Sequence, residues 1–312
     1  MKRKDLALAL LVVTVWGANF TVIKLALAGV PSMLLVALRY TFTALPAIAF
    51  VKRPHIEWYY CLAYGLTVGV GQFGCLFYAM EIGMPAGLAS VVLQSQAFLT
   101  LIFAAAFLKE ALKRQQVAGF VAAAFGLYLI GVNTGTSGII SIPLGAFLLT
   151  LLAAAFFGLS NIVVRLAVNQ AASKGERLDT FSLLVWSSLV PPLPLLGLAL
   201  MLDTPQTLWQ AISNINAQSV FAVVFLVGGA TLFGFGKWNK LLSIYPTSKV
   251  APLSLLVPVT GLITAQIVLS EQLTYLQWLG GLIILFGLTI ANFGDLVVSK
   301  LHRESRKLTE SR

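Results

Sequence analysis

Ten apolar runs, most of them near the ~20 residues that span a bilayer, follow one another from residue 6 to residue 297 with short polar breaks. Inside hydrocarbon every peptide group needs a partner within the protein, which leaves helices or closed barrels. Unbroken runs of this length point to helices, because barrel strands alternate in character over about ten residues. The charge content agrees: 10% of the residues are charged, against about 25% in soluble domains. The sequence therefore predicts an all-α integral membrane protein, one bundle of ten transmembrane helices. They are expected near residues 6–27, 32–51, 59–82, 86–108, 117–132, 143–168, 180–202, 219–242, 247–269 and 276–297. The uncharged stretch 133–142 reads as a linker between halves, 203–218 as the longest loop of the second half, and 300–312 as a polar tail.

The basic residues set the orientation. Nineteen of the 21 Lys and Arg residues fall at the N-terminus, in alternate loops or in the tail. Cytoplasmic loops carry such an excess, so both termini are expected in the cytoplasm. The net charge of +10 then reflects loops beside an anionic leaflet, and no nucleic acid is implied. The two exceptions are Lys24 and Arg39.

Residues 85–127 recur, without a gap, as residues 246–288, and 12 of the 43 positions are identical. Among them are Pro85/Pro246, Glu110/Glu271, Gln116/Gln277, Gly119/Gly280 and Gly126/Gly287. Membrane hairpins resemble one another by composition, but a shared Glu-x-Leu-x-x-x-Gln-x-x-Gly frame is a more specific signal. Duplicated membrane halves mark secondary transporters. Five helices per half is an odd number, so the second half must enter the membrane upside down. The halves are expected over 1–138 and 139–299, ahead of the tail at 300–312, with Glu110 in a cytoplasmic turn and Glu271 in an external one.

Cys61 and Cys75 lie 14 residues apart on one predicted helix, roughly 21 Å along its axis. That is far beyond the reach of a disulfide, so they read as packing thiols. The first apolar run is too long for a signal-peptide core and should remain as a helix.

Charges within a bilayer are costly and should face a cavity or a partner. Arg39 lies about eight residues from the outer end of its helix, roughly 12 Å deep, where its fork could grip a carboxylate. The competing reading is a structural pair with Glu81. Lys24 lies nearer the interface, where snorkelling competes with a site role. Asn19, Gln72, Gln94, Gln96 and Asn161 are amides within helices, each expected to face a neighbouring helix or a cavity. Of Gln94 and Gln96, which cannot share a face, Gln94 is the preferred site residue. Trp16, Tyr78, Trp186 and Trp238 are candidate cavity walls. The expected substrate-binding set is Arg39, Asn19, Gln72, Tyr78, Gln94, Asn161, Trp186 and Lys24. Pro85, Pro246, Pro252 and Pro258 mark helix starts or kinks.

Three stretches carry a family resemblance: Val15-Trp16-Gly17-Ala18-Asn19-Phe20, the run from Gly83-Met84-Pro85-Ala86-Gly87 through Ser90 and Gln94 to Phe98, and Val250-Ala251-Pro252-Leu253-Ser254 through Pro258-Val259. On these the chain resembles the drug/metabolite transporter superfamily with two EamA-type halves and, within it, the bacterial exporters of O-acetylserine and cysteine. The resemblance spans about residues 4–297. It implies an inner-membrane exporter of amino acids and their metabolites working by alternating access, with helices 1–4 and 6–9 around a central cavity. The expected partners are a small amino-acid-like substrate and the lipid bilayer, for a monomer or a homodimer.

No carboxylate falls in the middle of a predicted helix, so a proton-coupling acid is missing and the energy source is unassigned. An intramembrane enzyme would need an acid pair, a Ser with a His base, or metal ligands. His55 and His302 are the only histidines, and both fall in cytoplasmic segments. No catalytic set, metal or cofactor is expected. A broader exporter of drugs or amphipathic metabolites is the alternative within the superfamily, and the lack of buried acids argues against cationic cargo.

Overall fold

The structure is a computed structural model, and it describes residues 1–132 and 142–291. The linker up to residue 141, the end of the tenth predicted helix and the tail lie outside the described residues. The regular elements are helices: α1 Arg3–Ala26, α2 Ser32–Ala47, α3 Trp58–Glu81, α4 Ala86–Leu108, α5 Arg114–Val132 and α6 Leu144–Ser173 come first. They are followed by α7 Thr180–Ser187, α8 Pro192–Leu202, α9 Pro205–Ser213, α10 Ala217–Ile244, α11 Pro252–Leu269 and α12 Tyr275–Ala291. Among the described residues seven helices are long and apolar enough to cross a membrane, and eight if α7 and α8 form one bent span. The apolar helices α2 and α12 are shorter.

Some boundaries differ from expectation for local reasons. The second helix stops at Ala47 rather than near residue 51, one residue past Pro46, which cannot donate to the preceding turn. The seventh is broken, with α7 and α8 bent by 43°. Pro191 and Pro192 remove consecutive donors there, and the Ser188 hydroxyl donates to the Leu184 carbonyl at 2.7 Å, competing with the helical ladder. The sixth helix runs on to Ser173. The expected loop 203–218 contains the amphipathic α9, capped by Thr204, whose hydroxyl accepts from the Thr207 N–H at 3.2 Å. It buries Leu208 and leaves Trp209 exposed. Cys61 and Cys75 are both free.

The irregular features recur at the spacing of the sequence repeat. α4 ends with Lys109 at φ 55° and α11 with Ser270 at φ 54°, 161 positions apart, and no glycine relieves either. In each turn the following Glu N–H donates to the carbonyl six residues back: Glu110 to Ala104 and Glu271 to Ala265, both at 3.4 Å. In each, a Gln side chain then caps the next helix, Gln116 accepting from Lys113 N–H and Gln277 from Thr274 N–H, both at 2.9 Å. π-helical turns occupy Gly65–Gly74 of α3 and Phe225–Phe233 of α10. Tight 3₁₀ turns occupy Leu93–Ser95 in α4 and Ala251–Leu256 at the start of α11.

Close helix contacts also recur in reciprocal form. A Cβ on Gly126 would lie 2.6 Å from the Gly280 carbonyl oxygen, and one on Gly280 would lie 2.6 Å from that of Gly126. Gly119 and Gly287 meet in the same way, at 2.5 and 2.6 Å. α5 and α12 therefore cross antiparallel through four repeat glycines, the close approach that small residues permit. Likewise a Cβ on Gly17 of α1 would lie 2.7 Å from the Gly261 nitrogen in α11, and one on Gly158 of α6 would lie 3.0 Å from the Thr100 nitrogen in α4. Lys174, just beyond α6, pairs with Glu57 in the loop after α2 at 3.2 Å. That loop lies at the end where α1 begins, so α6 runs opposite to α1.

Candidate functional site

Arg39 is the most unusual residue of the bundle. It lies in the middle of α2 and is 3% exposed. Its Nε and Nη2 donate to the Thr231 hydroxyl at 3.3 and 3.0 Å. Its guanidinium stacks over the Phe73 ring, 4.1 Å from the centroid. Thr231 can serve as acceptor because it sits in the π-turn of α10, where its own hydroxyl donates five residues back to the Leu226 carbonyl at 2.7 Å. Nη1 has no partner, and among the described residues no carboxylate pairs with Arg39. Glu81, the expected structural partner, is engaged elsewhere: its carboxylate accepts from the Ser32 N–H at 3.2 Å and from the Ser32 hydroxyl at 2.6 Å. A desolvated cation–π contact contributes about 2 kcal/mol, less than the several kcal/mol that burying an ion costs. These contacts alone therefore do not offset the burial of the guanidinium.

Two amides of the expected set share this condition. Asn19 is 6% exposed and Gln72 is 3% exposed, and Asn19 Oδ1 and Gln72 Oε1 have no partner. Both are linked to Arg39 through sequence neighbours. Gln72 precedes Phe73 in the π-turn of α3. Asn19 lies one turn past Trp16, whose indole N–H donates to the Ala230 carbonyl at 2.9 Å, next to Thr231. α1, α2 and α3 thus each carry one buried polar atom without a partner among the described residues. Buried polar atoms in native proteins are nearly always paired, and these three, with Thr43 Oγ1 and Gln277 Nε2, are the exceptions among the described residues. The chemistry of these three fits a zwitterion, with a carboxylate for Arg39 and an ammonium for the amide oxygens.

The other expected residues lie elsewhere or have other partners. Asn161 donates to Gln96 Oε1 at 2.9 Å and to the Thr100 hydroxyl at 3.0 Å, tying α6 to α4. Gln94 is half-buried, and its side chain makes no hydrogen bond among the described residues. Tyr78 packs at the edge of the main core. Trp186 donates to the Val51 carbonyl at 3.0 Å and packs with Ile56, Cys61 and Leu183 in a separate cluster. Lys24 donates to the Met80 carbonyl at 2.5 Å and reaches the Met84 carbonyl at 3.5 Å, sealing the end of α3. Trp16 and Trp238 pack with centroids 5.1 Å apart and their rings tilted by 54°. Thr231 and Phe73 were not foreseen, and only their place in the Gly-rich runs of α10 and α3 hinted at them. An apolar groove of about 600 Å³ opens between α2 and α10, lined by Leu38, Phe42, Val224 and Gly228 among others. Among the described residues no three His, Cys, Asp or Glu side chains could hold a metal ion.

The EamA-like transporter family model matches residues 4–132 and 144–293. The chain belongs to the EamA-like transporter family. It is 44% identical, over 94% of its length and 96% of theirs, to proteins of Salmonella typhimurium and Escherichia coli named "Probable amino-acid metabolite efflux pump". It is 25% identical to the "Uncharacterized transporter YoaV" of Bacillus subtilis, over 90% of this chain and 94% of that one. A solved structure described as "Crystal structure of protein" shares the fold, with a TM-score of 0.62 over 96% of this chain and 99% of its own at 16% identity. This EamA-like chain is thus a multi-pass membrane transporter.

Proposed function

We propose that this transporter exports small amino acids or amino-acid metabolites, of the cysteine and O-acetylserine kind, across the bacterial inner membrane by alternating access. The observation that carries this reading is the buried Arg39, with no carboxylate partner among the described residues, on a bundle that also buries the unpartnered oxygens of Asn19 and Gln72. The names of the 44% identical relatives support the same substrate class. In this reading Arg39 grips the carboxylate, Asn19 and Gln72 accept from the ammonium, and Phe73 and Thr231 hold the guanidinium in place. Overexpression should raise cysteine and O-acetylserine in the medium several-fold over an empty vector, measured by thiol and amino-acid assay. An unchanged medium would remove the substrate assignment.

We further propose ten transmembrane helices in two inverted halves of five, residues 1–138 and 139–299, with both termini cytoplasmic. The α7–α8 pair counts as one span, and α2 and α12 cross despite their length. The reciprocal glycine contacts, the paired left-handed residues and the opposite directions of α1 and α6 support the inversion. In a variant without Cys61 and Cys75, a cysteine at Asn214 should react with an impermeant maleimide added to intact cells. Cysteines at Lys52 and Lys174 should react only after the membrane is opened. Labelling of position 174 from outside would overturn the orientation and the inversion together.

A further inference from the structure

The two halves place one ionic device at each end of the bundle, and the two copies are in different states. In sequence, Val22-Ile23-Lys24-Leu25-Ala26 of α1 matches Val163-Val164-Arg165-Leu166-Ala167 of α6. Gly17 and Gly158, which make the equivalent close approaches described above, are in the same register. Glu271 and Glu110 are likewise repeat equivalents. Each device takes its cation from one half and its Glu from the other.

At the end reached by α1 the device is fastened. The Glu271 carboxylate accepts from the Ala86 and Gly87 N–H groups at 2.6 and 2.9 Å, pinning the start of α4. Lys24 holds the Met80 and Met84 carbonyls of the same α3–α4 turn, Met84 lying two residues before the first N–H group that Glu271 caps. Residues 86–93 behind it are all buried. At the other end Glu110 instead forms a two-pronged pair with Arg165, one prong being Nη1 to Oε2 at 3.0 Å. The two side chains are 46% and 47% exposed. Residues 252–256 at the start of α11 are all partly or well exposed, whereas the equivalent 91–95 are buried except for the half-buried Gln94.

We propose that Lys24–Glu271 and Arg165–Glu110 are the two gates of the transporter, the first closed and the second open in this structure. The repeat spacing defines the exchanged state. Glu110 leaves Arg165 to cap the N–H groups of Thr247 and Ser248, the equivalents of Ala86 and Gly87. Arg165 takes the Leu241 and Tyr245 carbonyls, the equivalents of Met80 and Met84. At the α1 end Glu271 meanwhile releases α4 and pairs with Lys24. Glu271 and Glu110 are thus positioning residues for transport that touch no substrate. This inference rests on the inverted, alternating-access reading above.

The experiment reads accessibility, without substrate, in the variant lacking Cys61 and Cys75. A cysteine at Ser90, buried behind the Glu271 clasp, is labelled with impermeant maleimide from outside in intact cells. A cysteine at Ser254 is labelled in inside-out vesicles. With Glu271 intact, position 90 should react slowly and position 254 quickly. Loss of a charged hydrogen-bond partner shifts a two-state equilibrium by about tenfold or more. Glu271→Gln should therefore raise the rate at position 90 by about tenfold or more and lower the rate at position 254. Glu271→Asp, too short to reach both N–H groups, should move both rates in the same directions by less. Glu110→Gln should leave position 90 slow and stop transport. Unchanged labelling of position 90 in folded Glu271→Asp protein overturns the proposal even if Glu271→Gln fails to reach the membrane. A shift in the same direction for Glu110→Gln and Glu271→Gln also overturns it. Labelling at Asn214 in the same cells reports separately whether the topology itself has failed.

Discussion

Arg39→Gln is expected to abolish export while the protein remains folded in the membrane. The guanidinium is buried, held by Thr231 and Phe73, and keeps Nη1 unpartnered. Losing a charged hydrogen bond to a carboxylate costs about 1.5–3 kcal/mol, or about 10- to 150-fold in affinity. Removing the buried cation also removes a desolvation cost, so the folded protein should survive. Arg39→Lys keeps the charge but loses the fork and the stacking and should recover only part of the activity. Because Glu81 caps Ser32 rather than pairing with Arg39, adding Glu81→Gln should not rescue Arg39→Gln. The two effects should add, as for independent sites. Export measured alongside membrane abundance decides the matter: normal export by Arg39→Gln would end the site assignment.

The second large effect is on stability. Gly126→Val and Gly280→Val should each remove most of the folded protein, to a similar extent. Each places a Cβ about 2.6 Å from the other's carbonyl oxygen, and a helix backbone cannot yield without α5 and α12 parting. Overpacking costs typically 1–3 kcal/mol, and a branched side chain against backbone belongs at the top of that range. Gly197→Ala is the control, since a Cβ there meets nothing within 4 Å. It should be neutral or stabilising by up to ~1 kcal/mol through helix propensity. Thermal unfolding in detergent checks this. A large difference between Gly126→Val and Gly280→Val would contradict the reciprocal contact.

The elements most legible in the sequence were those governed by local rules. Apolar runs of bilayer length predicted helices, and the shared Glu frame predicted two matching turns, now seen at Lys109 and Ser270 with equal backbone angles. What escaped was whatever depends on helix phase. The sequence prefers Gln94 over Gln96 for the site and places the other amide against a neighbouring helix. The 3₁₀ turn over Leu93–Ser95 changes the rotation per residue there, and Gln96 is the one that meets a neighbouring helix, at Asn161. The π-turns of α3 and α10 shift phase in the same way and direct Gln72 and Thr231 inward. Arg39 was singled out by breaking the inside rule for basic residues. Its partner Thr231, 192 positions away, lies in the other half, beyond any local pattern. Trp186 was judged by type, and its place was set by the Val51 carbonyl.

In the proposed mechanism a buried guanidinium selects an amino-acid carboxylate for transport. Counterflow in proteoliposomes of the purified protein tests it most directly, with radiolabelled cysteine outside and unlabelled cysteine inside. Uptake should exceed that of empty liposomes and be suppressed by O-acetylserine. Cysteine methyl ester, which keeps the ammonium and loses the carboxylate, should leave uptake nearly unchanged, and Arg39→Gln protein should show none. Equal suppression by the ester and by O-acetylserine, or uptake no greater than in empty liposomes, would contradict the claim.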